Sequence, residues 1–161
     1  MVAIVVVLLG VGVPMLRSMM QSQKITATVN DFFASMNLAR SEAIRRGTRV
    51  DLVPADDTAD WARGWTVFID ENDNQRPDNR EKIIFTHAVV PKGISIKASL
   101  TDSSVPYLAY TSTGRTRTNA SNERTQFGTI TFRLDSQVRK IKLNFLGRAR
   151  VCNPDIDKGD C

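Results

Sequence analysis

Histidine occurs once in the 161 residues, at His87, and cysteine twice, at Cys152 and Cys161. His87 follows a strand-like run with no second histidine or thiol near it, so a catalytic triad or a zinc centre has little to be built from. A membrane-tethered enzyme working through His87 or a carboxylate loop is therefore the disfavoured reading, and no cofactor is expected. Long hydrophobic runs are also lacking. Met1 to Leu16 holds no charged or strongly polar side chain, yet as a helix it covers roughly 24 Å, against the roughly 30 Å of hydrocarbon that about twenty residues span. That leaves either a shallow anchor or a chain whose beginning lies further upstream. A signal peptide is opposed by the lack of a basic residue behind Met1 and of a small-x-small cleavage pattern before Arg17 and Lys24.

The two cysteines sit at the extreme C-terminus around Asn153, Pro154, Gly159 and three aspartates. A tail so poor in hydrophobic residues frays unless it is tied, and a bridge closing a loop of this size contributes roughly 2 to 3 kcal/mol. A Cys152–Cys161 disulfide is expected, and with it an oxidising compartment such as the periplasm.

From Met15 to Arg46 the apolar residues Ile25, Val29, Phe32, Met36, Ala39 and Ala43 recur at spacings of three and four, which predicts one amphipathic helix continuous with the apolar start. Pro14 is tolerable as a kink in a membrane-embedded part, and Gly47 after Arg45 and Arg46 supplies the stop. After Gly47 the period falls to two. Short alternating or β-branched runs at 49–53, 64–69, 82–86, 94–98, 129–134 and 138–145 predict strands. The expected fold is α+β, a long N-terminal helix packed on a β-rich globular head. The expected division is a membrane-anchor part over 1–23, an amphipathic part over 24–47 and a head over 48–161. Residues 111–126, polar and almost without apolar anchors, are expected as a long mobile loop.

Four segments in order along the chain resemble one family. They are the apolar start ending in Val13-Pro14, the helix end Leu38-Ala39-Arg40-Ser41-Glu42-Ala43-Ile44-Arg45-Arg46-Gly47, the run Trp61-Ala62-Arg63-Gly64-Trp65-Thr66-Val67-Phe68-Ile69-Asp70, and Gly147-Arg148-Ala149-Arg150. The chain is similar to the GspH/FimT pseudopilins, minor subunits of type IV pili and type II secretion systems. The resemblance implies a single-pass inner-membrane protein with its head in the periplasm, whose partners are other pilins and whose head caps or primes a filament. Family members begin with a Gly-Phe-Thr-Leu-Ile-Glu type sequence cut by a prepilin peptidase. Nothing here corresponds to it, so the chain is expected to start late relative to the family.

Charge is unevenly distributed. Residues 17–114 hold twelve Lys/Arg and twelve Asp/Glu, whereas residues 115–150 hold nine basic residues against Glu123 and Asp135. With Ile141, Leu143 and Phe145 inward, alternation turns Lys140, Lys142 and Arg148 outward, with Arg150 beside Arg148 if the strand continues past Gly147. Residues two apart on a strand stand roughly 7 Å apart, comparable with phosphate spacing along a nucleic acid strand. Guanidinium forks suit phosphate oxygens. The resemblance sharpens this, because FimT-type members implicated in DNA uptake carry a Gly-Arg-x-Arg motif that contacts DNA, matched here by Gly147, Arg148 and Arg150. Arg115 and Arg117 are further candidates from the mobile loop, and double-stranded DNA is a candidate partner. The rival readings are a DNA receptor for natural transformation, a secretion pseudopilin without DNA binding, and a basic face that only keeps the protein soluble. Base stacking has little support, because Phe127, Phe132 and Phe145 all read as core.

Asp70, Asn72, Asn74, Asp78 and Glu81 follow a calcium-loop spacing, but Gln75 stands where the sharp turn wants glycine, so an ordinary Asx-rich turn is the simpler reading. Trp61 and Trp65 read as core, and Met15, Met19, Met20 and Met36 as packing along the anchor. The stripe at Ile25, Val29, Phe32 and Met36 must be buried against the head or against sister helices, and is the candidate assembly surface.

Overall fold

The computed structural model describes residues 2–103, 105–159 and 161, with side chains from residue 15 onward. A single helix, α1 (Val2–Arg46), runs through Pro14 and stops at Gly47, whose φ of 68° lets its N–H reach back to the Ala43 carbonyl at 3.0 Å. Arg45 and Arg46 fill the last turn and both pair with Glu42. Among the described residues nine strands follow: β1 (Val50–Pro54), β2 (Trp65–Phe68), β3 (Ile83–His87), β4 (Ser95–Leu100), β5 (Leu108–Tyr110), β6 (Thr116–Arg117), β7 (Gly128–Leu134), β8 (Gln137–Leu143) and β9 (Ala149–Cys152). They build two antiparallel sheets, ordered β3-β2-β1-β5-β6 and β4-β7-β8-β9. All six expected strands are present, and the fold is the expected α+β arrangement of helix on sheet.

The helix serves both sheets at once, lying against β1, β2 and β5 of the first and β7, β8 and β9 of the second. Its stripe Ile25, Val29, Phe32, Met36, Ala39 and Ala43 is buried, with no member more than 1% exposed. Phe32 is the hub, with edge-on contacts to Trp61, Trp65 and Phe132 at centroid distances of 5.2, 4.9 and 5.5 Å. Ser35 on the same face accepts the Trp65 indole N–H at 2.8 Å. The head therefore covers the whole stripe by itself. The expectation that Ile25, Val29, Phe32 and Met36 pack against sister helices is corrected, because these side chains have no surface left to offer. The anchor expected over 1–23 rests on Met1 and on the side chains of residues 2–14, which lie outside the described residues. Among the described residues no helix is long and apolar enough to cross a membrane.

The expected mobile loop at 111–126 is also corrected, since it contributes β6 to the first sheet and is held by polar contacts rather than apolar anchors. Thr116 donates its hydroxyl to the Gln126 carbonyl, Thr118 N–H donates to the Arg124 carbonyl at 2.7 Å, and the Gln126 amide donates to the Tyr107 carbonyl at 3.1 Å. Thr116, Arg117, Thr118 and Gln126 are all buried.

Below this loop Arg49 forks onto both carboxylate oxygens of Asp51 at 2.7 and 2.6 Å and also pairs with Asp70 at 3.1 Å and Asp73 at 2.5 Å. The cluster ties β1 to the segment after β2. Burial pushes the Asp51 carboxyl up to about 7, and the adjacent Asp70 adds to that, although Arg49 pulls the other way. An unfolded aspartate titrates near 4, so between about pH 4 and 7 the native state binds the extra proton. The contribution of this group to stability is full below about pH 4 and declines as pH rises to about 7.

Two outcomes follow from this packing. Phe32→Ala should cost about 3–5 kcal/mol, read as a large fall in the denaturant midpoint of the head; a shift under about 1 kcal/mol would show the hub is not where the sheets meet. The stability of the wild type relative to Asp51→Asn should fall between about pH 4 and 7, and a constant difference across that range would contradict the burial argument.

Candidate nucleic-acid interface

The second sheet turns one face to the helix and the other to solvent. Ile96, Ile130, Phe132, Ile141 and Leu143 point inward and are buried. The alternate positions pair across the outer face as Lys97–Thr131–Lys140 and Thr129–Lys142–Arg150. None of the four strands contains an acidic residue. At the tail side Lys140 donates to the Cys161 carbonyl at 3.3 Å, and the Cys152–Cys161 disulfide is formed, with Cys152 buried.

The geometry at the Gly-Arg-x-Arg motif differs from a continuing strand. β8 ends at Leu143, and the chain reverses over Asn144–Arg148 before returning as β9. Asn144 makes this turn rigid: its side-chain oxygen accepts from Leu146 N–H and Arg148 N–H, both at 3.0 Å, while its backbone exchanges bonds with Arg148 and Gly147. Arg148 is thus on a turn and Arg150 on β9, opposite Lys142 rather than beyond it. Phe145, expected inward, is 58% exposed, because it sits past the strand end where alternation no longer applies. Phe127 is 50% exposed for the same reason at the start of β7, and only Phe132 of the three is core.

Glycine at 147 has a physical cause. Its φ is 76°, and a Cβ there would stand 2.6 Å from the Gly114 carbonyl oxygen and 3.2 Å from the Arg115 Cα. The turn between β5 and β6 therefore packs directly on the turn between β8 and β9. Gly114 is held from the other side, since Arg40 of α1 donates to its carbonyl at 2.8 Å, and its φ of 73° is one that side-chain-bearing residues rarely adopt. The contact brings Arg115 and Arg148, far apart in sequence, to one crest at the C-terminal end of the helix. Both are exposed, and among the described residues neither guanidinium donates a hydrogen bond or forms an ion pair. The crest and the Lys142–Arg150 pair beside it make a cationic ridge. Sequence spacing has no way of showing that Arg115 and Arg148 meet; the only hint is a glycine in each of two turns.

Other candidates fall elsewhere. Arg117 is 8% exposed, donates to the Thr118 carbonyl and reaches Asp73, so it is a structural cation and not a surface one. The calcium-loop residues satisfy one another. Asp70 accepts from Asn74 N–H and Gln75 N–H besides Arg49, Asn72 donates to Asp78 at 2.9 Å, and Glu81 accepts from Glu71 N–H and Asp78 N–H. Among the described residues no group of His, Cys, Asp or Glu is placed to hold a metal ion, so the calcium candidate at Asp70, Asn72, Asn74, Asp78 and Glu81 is corrected to a self-bonded turn. Trp61 and Trp65 are buried as expected, and His87 stacks on Trp65 at 3.9 Å.

The family model described as type II transport protein GspH matches residues 28–147. No curated protein sequence matches the chain. Among solved structures, the type IV minor pilin FimU of Pseudomonas aeruginosa superposes with a TM-score of 0.65 at 15% identity, over 83% of this chain and 91% of that one. The minor pseudopilin EpsH of the type 2 secretion system of Vibrio cholerae superposes with a TM-score of 0.54 at 14% identity, over 81% of this chain and 98% of that one. At these identities the likeness is one of fold, a helix on a two-sheet head. The family match covers the stripe from Val29 onward, the helix end, and both sheets as far as the Gly147 turn, and the chain belongs to the GspH family.

Proposed function

We propose that this chain is a filament subunit that is held by its N-terminal helix and offers DNA a cationic crest at the opposite end of its head. The observation that carries the reading is the Gly114–Gly147 contact, which sets Arg115 and Arg148 side by side without acidic neighbours on the adjoining strands. The crest lies beside Ile44, about twenty-nine helical residues and so roughly 44 Å from Met15. A subunit rooted by the start of α1 presents it on the outside.

With the stripe consumed by the head, packing against other pilins passes to the part of α1 that projects from it. Met15, Leu16, Met19 and Met20 are all more than half exposed there. Unbranched methionines adapt to neighbours of differing shape, which suits a minor subunit among unlike partners. The proposed division is an inner-membrane anchor over 1–23, a half-helix covered by the head over 24–47, and a periplasmic head over 48–161. In this scheme Lys140, Lys142 and Arg150 extend the crest down the outer sheet, where phosphates are met by long cations rather than read by base. A secretion pseudopilin without DNA binding is the reading that fails to use the crest.

Replacing Arg148 and Arg150 with Ala should weaken binding of a short duplex and make its salt dependence shallower by about one for each phosphate no longer neutralised. Affinity that is unchanged, or insensitive to salt from the outset, removes the DNA reading. Gly147→Ala keeps every cation but should strain the turn by about 1–2 kcal/mol and move it off Gly114, so duplex affinity should fall several-fold with the head still folded. Met19→Asp with Met20→Asp should leave the unfolding midpoint of the head within error while the subunit disappears from sheared filaments; undiminished incorporation would place the assembly surface elsewhere.

A further inference from the structure

We propose that the crest takes single-stranded nucleic acid, with bases stacked on the exposed rings of Phe145 and Phe127 while Arg148 and Lys142 meet the phosphates. The inference rests on the reading of the crest as a nucleic-acid site and narrows it to one class of ligand.

Phosphate contact alone needs cations and no aromatic rings. Yet two of the largest exposed apolar side chains of the head flank the cations, Phe145 at 58% and Phe127 at 50% exposure. Neither belongs to the core. The inward position at the end of β8 is already filled by Leu143, and that at the start of β7 is Gly128, where a side chain would strike the backbone of Ser99 and Leu100. Among the described residues neither ring has an aromatic partner. Both are held on rigid backbone. Phe145 is in the turn closed by Asn144. Phe127 makes three hydrogen bonds with Thr101, its carbonyl accepting from Thr101 N–H at 2.9 Å and from the Thr101 hydroxyl at 3.0 Å, and its N–H donating to that hydroxyl at 3.2 Å.

Register places these rings among the cations. Phe127 lies two residues before Thr129, which is paired with Lys142, so its exposed ring stands at the same end of the sheet. Phe145 stands three residues before Arg148 on one turn. The sequence from ring to cation to ring follows the end of the sheet. Phe127 also walls an open hollow of about 800 Å³ shared with Thr101, Asn119 and Arg124. Asp102 and Glu123 border that hollow, and carboxylates there suit the N–H groups of a base edge and repel a phosphate. A duplex hides its base faces and has nothing to lay on a protruding ring without unstacking, whereas a single strand offers every base. Rings interleaved with a basic track are the stacking platform of single-strand binders.

The test is titration of the full chain in neutral detergent with fluorescent oligo(dT) and with a duplex of equal length, for the wild type, Phe145→Ala, Phe127→Ala, Phe145→Trp and Arg148→Ala. Each Phe→Ala change should weaken oligo(dT) binding about tenfold with the salt slope unaltered and leave duplex binding within about twofold. Phe145→Trp should keep oligo(dT) binding, and Arg148→Ala should weaken both forms and flatten the slope. Both rings being exposed, the unfolding midpoints of these variants should match the wild type. Oligo(dT) affinity unmoved by either Phe→Ala change, or single strand and duplex weakened alike, overturns the stacking inference while leaving duplex binding at the crest intact. Failure of the wild type to bind either form overturns it together with the reading on which it rests.

Discussion

Everything in this molecule depends on the helix stripe being buried by the head of the same chain. Phe32 stands where β2, β7 and the Trp61 turn converge, and two sheets that make no continuous ladder with each other are joined through that ring and its neighbours along α1. A hydrophobic stripe of this length cannot remain in water, and apolar burial is the dominant favourable contribution to folding. The head answers that requirement locally. Because it does, the helix inside the head is fixed in orientation, and among the described residues the apolar helix surface at Met15, Leu16, Met19 and Met20 stays open to partners.

The same fixed helix positions the cationic crest. Arg40 and Ile44, one turn apart on α1, hold the Gly114 turn, and the Gly114 turn receives Gly147. The arginines at 115 and 148 are thus located by a chain of contacts that begins in the helix, through two glycines with φ of 73° and 76°. Buried polar groups order the rest. The loop before β7 has almost no apolar side chain, and it is kept in place by Thr116, Thr118 and Gln126 satisfying backbone groups that would otherwise be orphaned.

Most of the architecture is legible in the sequence because it is periodic. The stripe at spacings of three and four, the stop at Gly47 and six alternating runs each become the element they signal. The failures are equally physical. β5 is three consecutive buried residues, Leu108, Ala109 and Tyr110, and so short an apolar run has no period to read. β6 is two polar residues whose place is set by pairing with β5 and by the Gln126 carbonyl ten positions on. Arg117 looks like any loop cation until Asp73 is brought to it. Alternation extended to Phe145 points that ring inward, but the alternation stops at Leu143, and the exposed ring of Phe145 is hidden from the sequence by that one step. The resemblance carried by Gly147-Arg148-Ala149-Arg150 points to one turn of the crest, but not to the Gly114 turn packed on it. The tail disulfide needs no periodicity, because two cysteines in a fraying tail have one partner each.

The central claim, that the head of this chain alone covers the helix, is most directly tested by hydrogen exchange on the full-length protein as a monomer in detergent. The amides of residues 25–43 should exchange as slowly as those of β7 and β8, through the same global opening. Exchange of that stretch well ahead of the sheets would mean that the stripe is only loosely attached and awaits other subunits, and the account would be wrong.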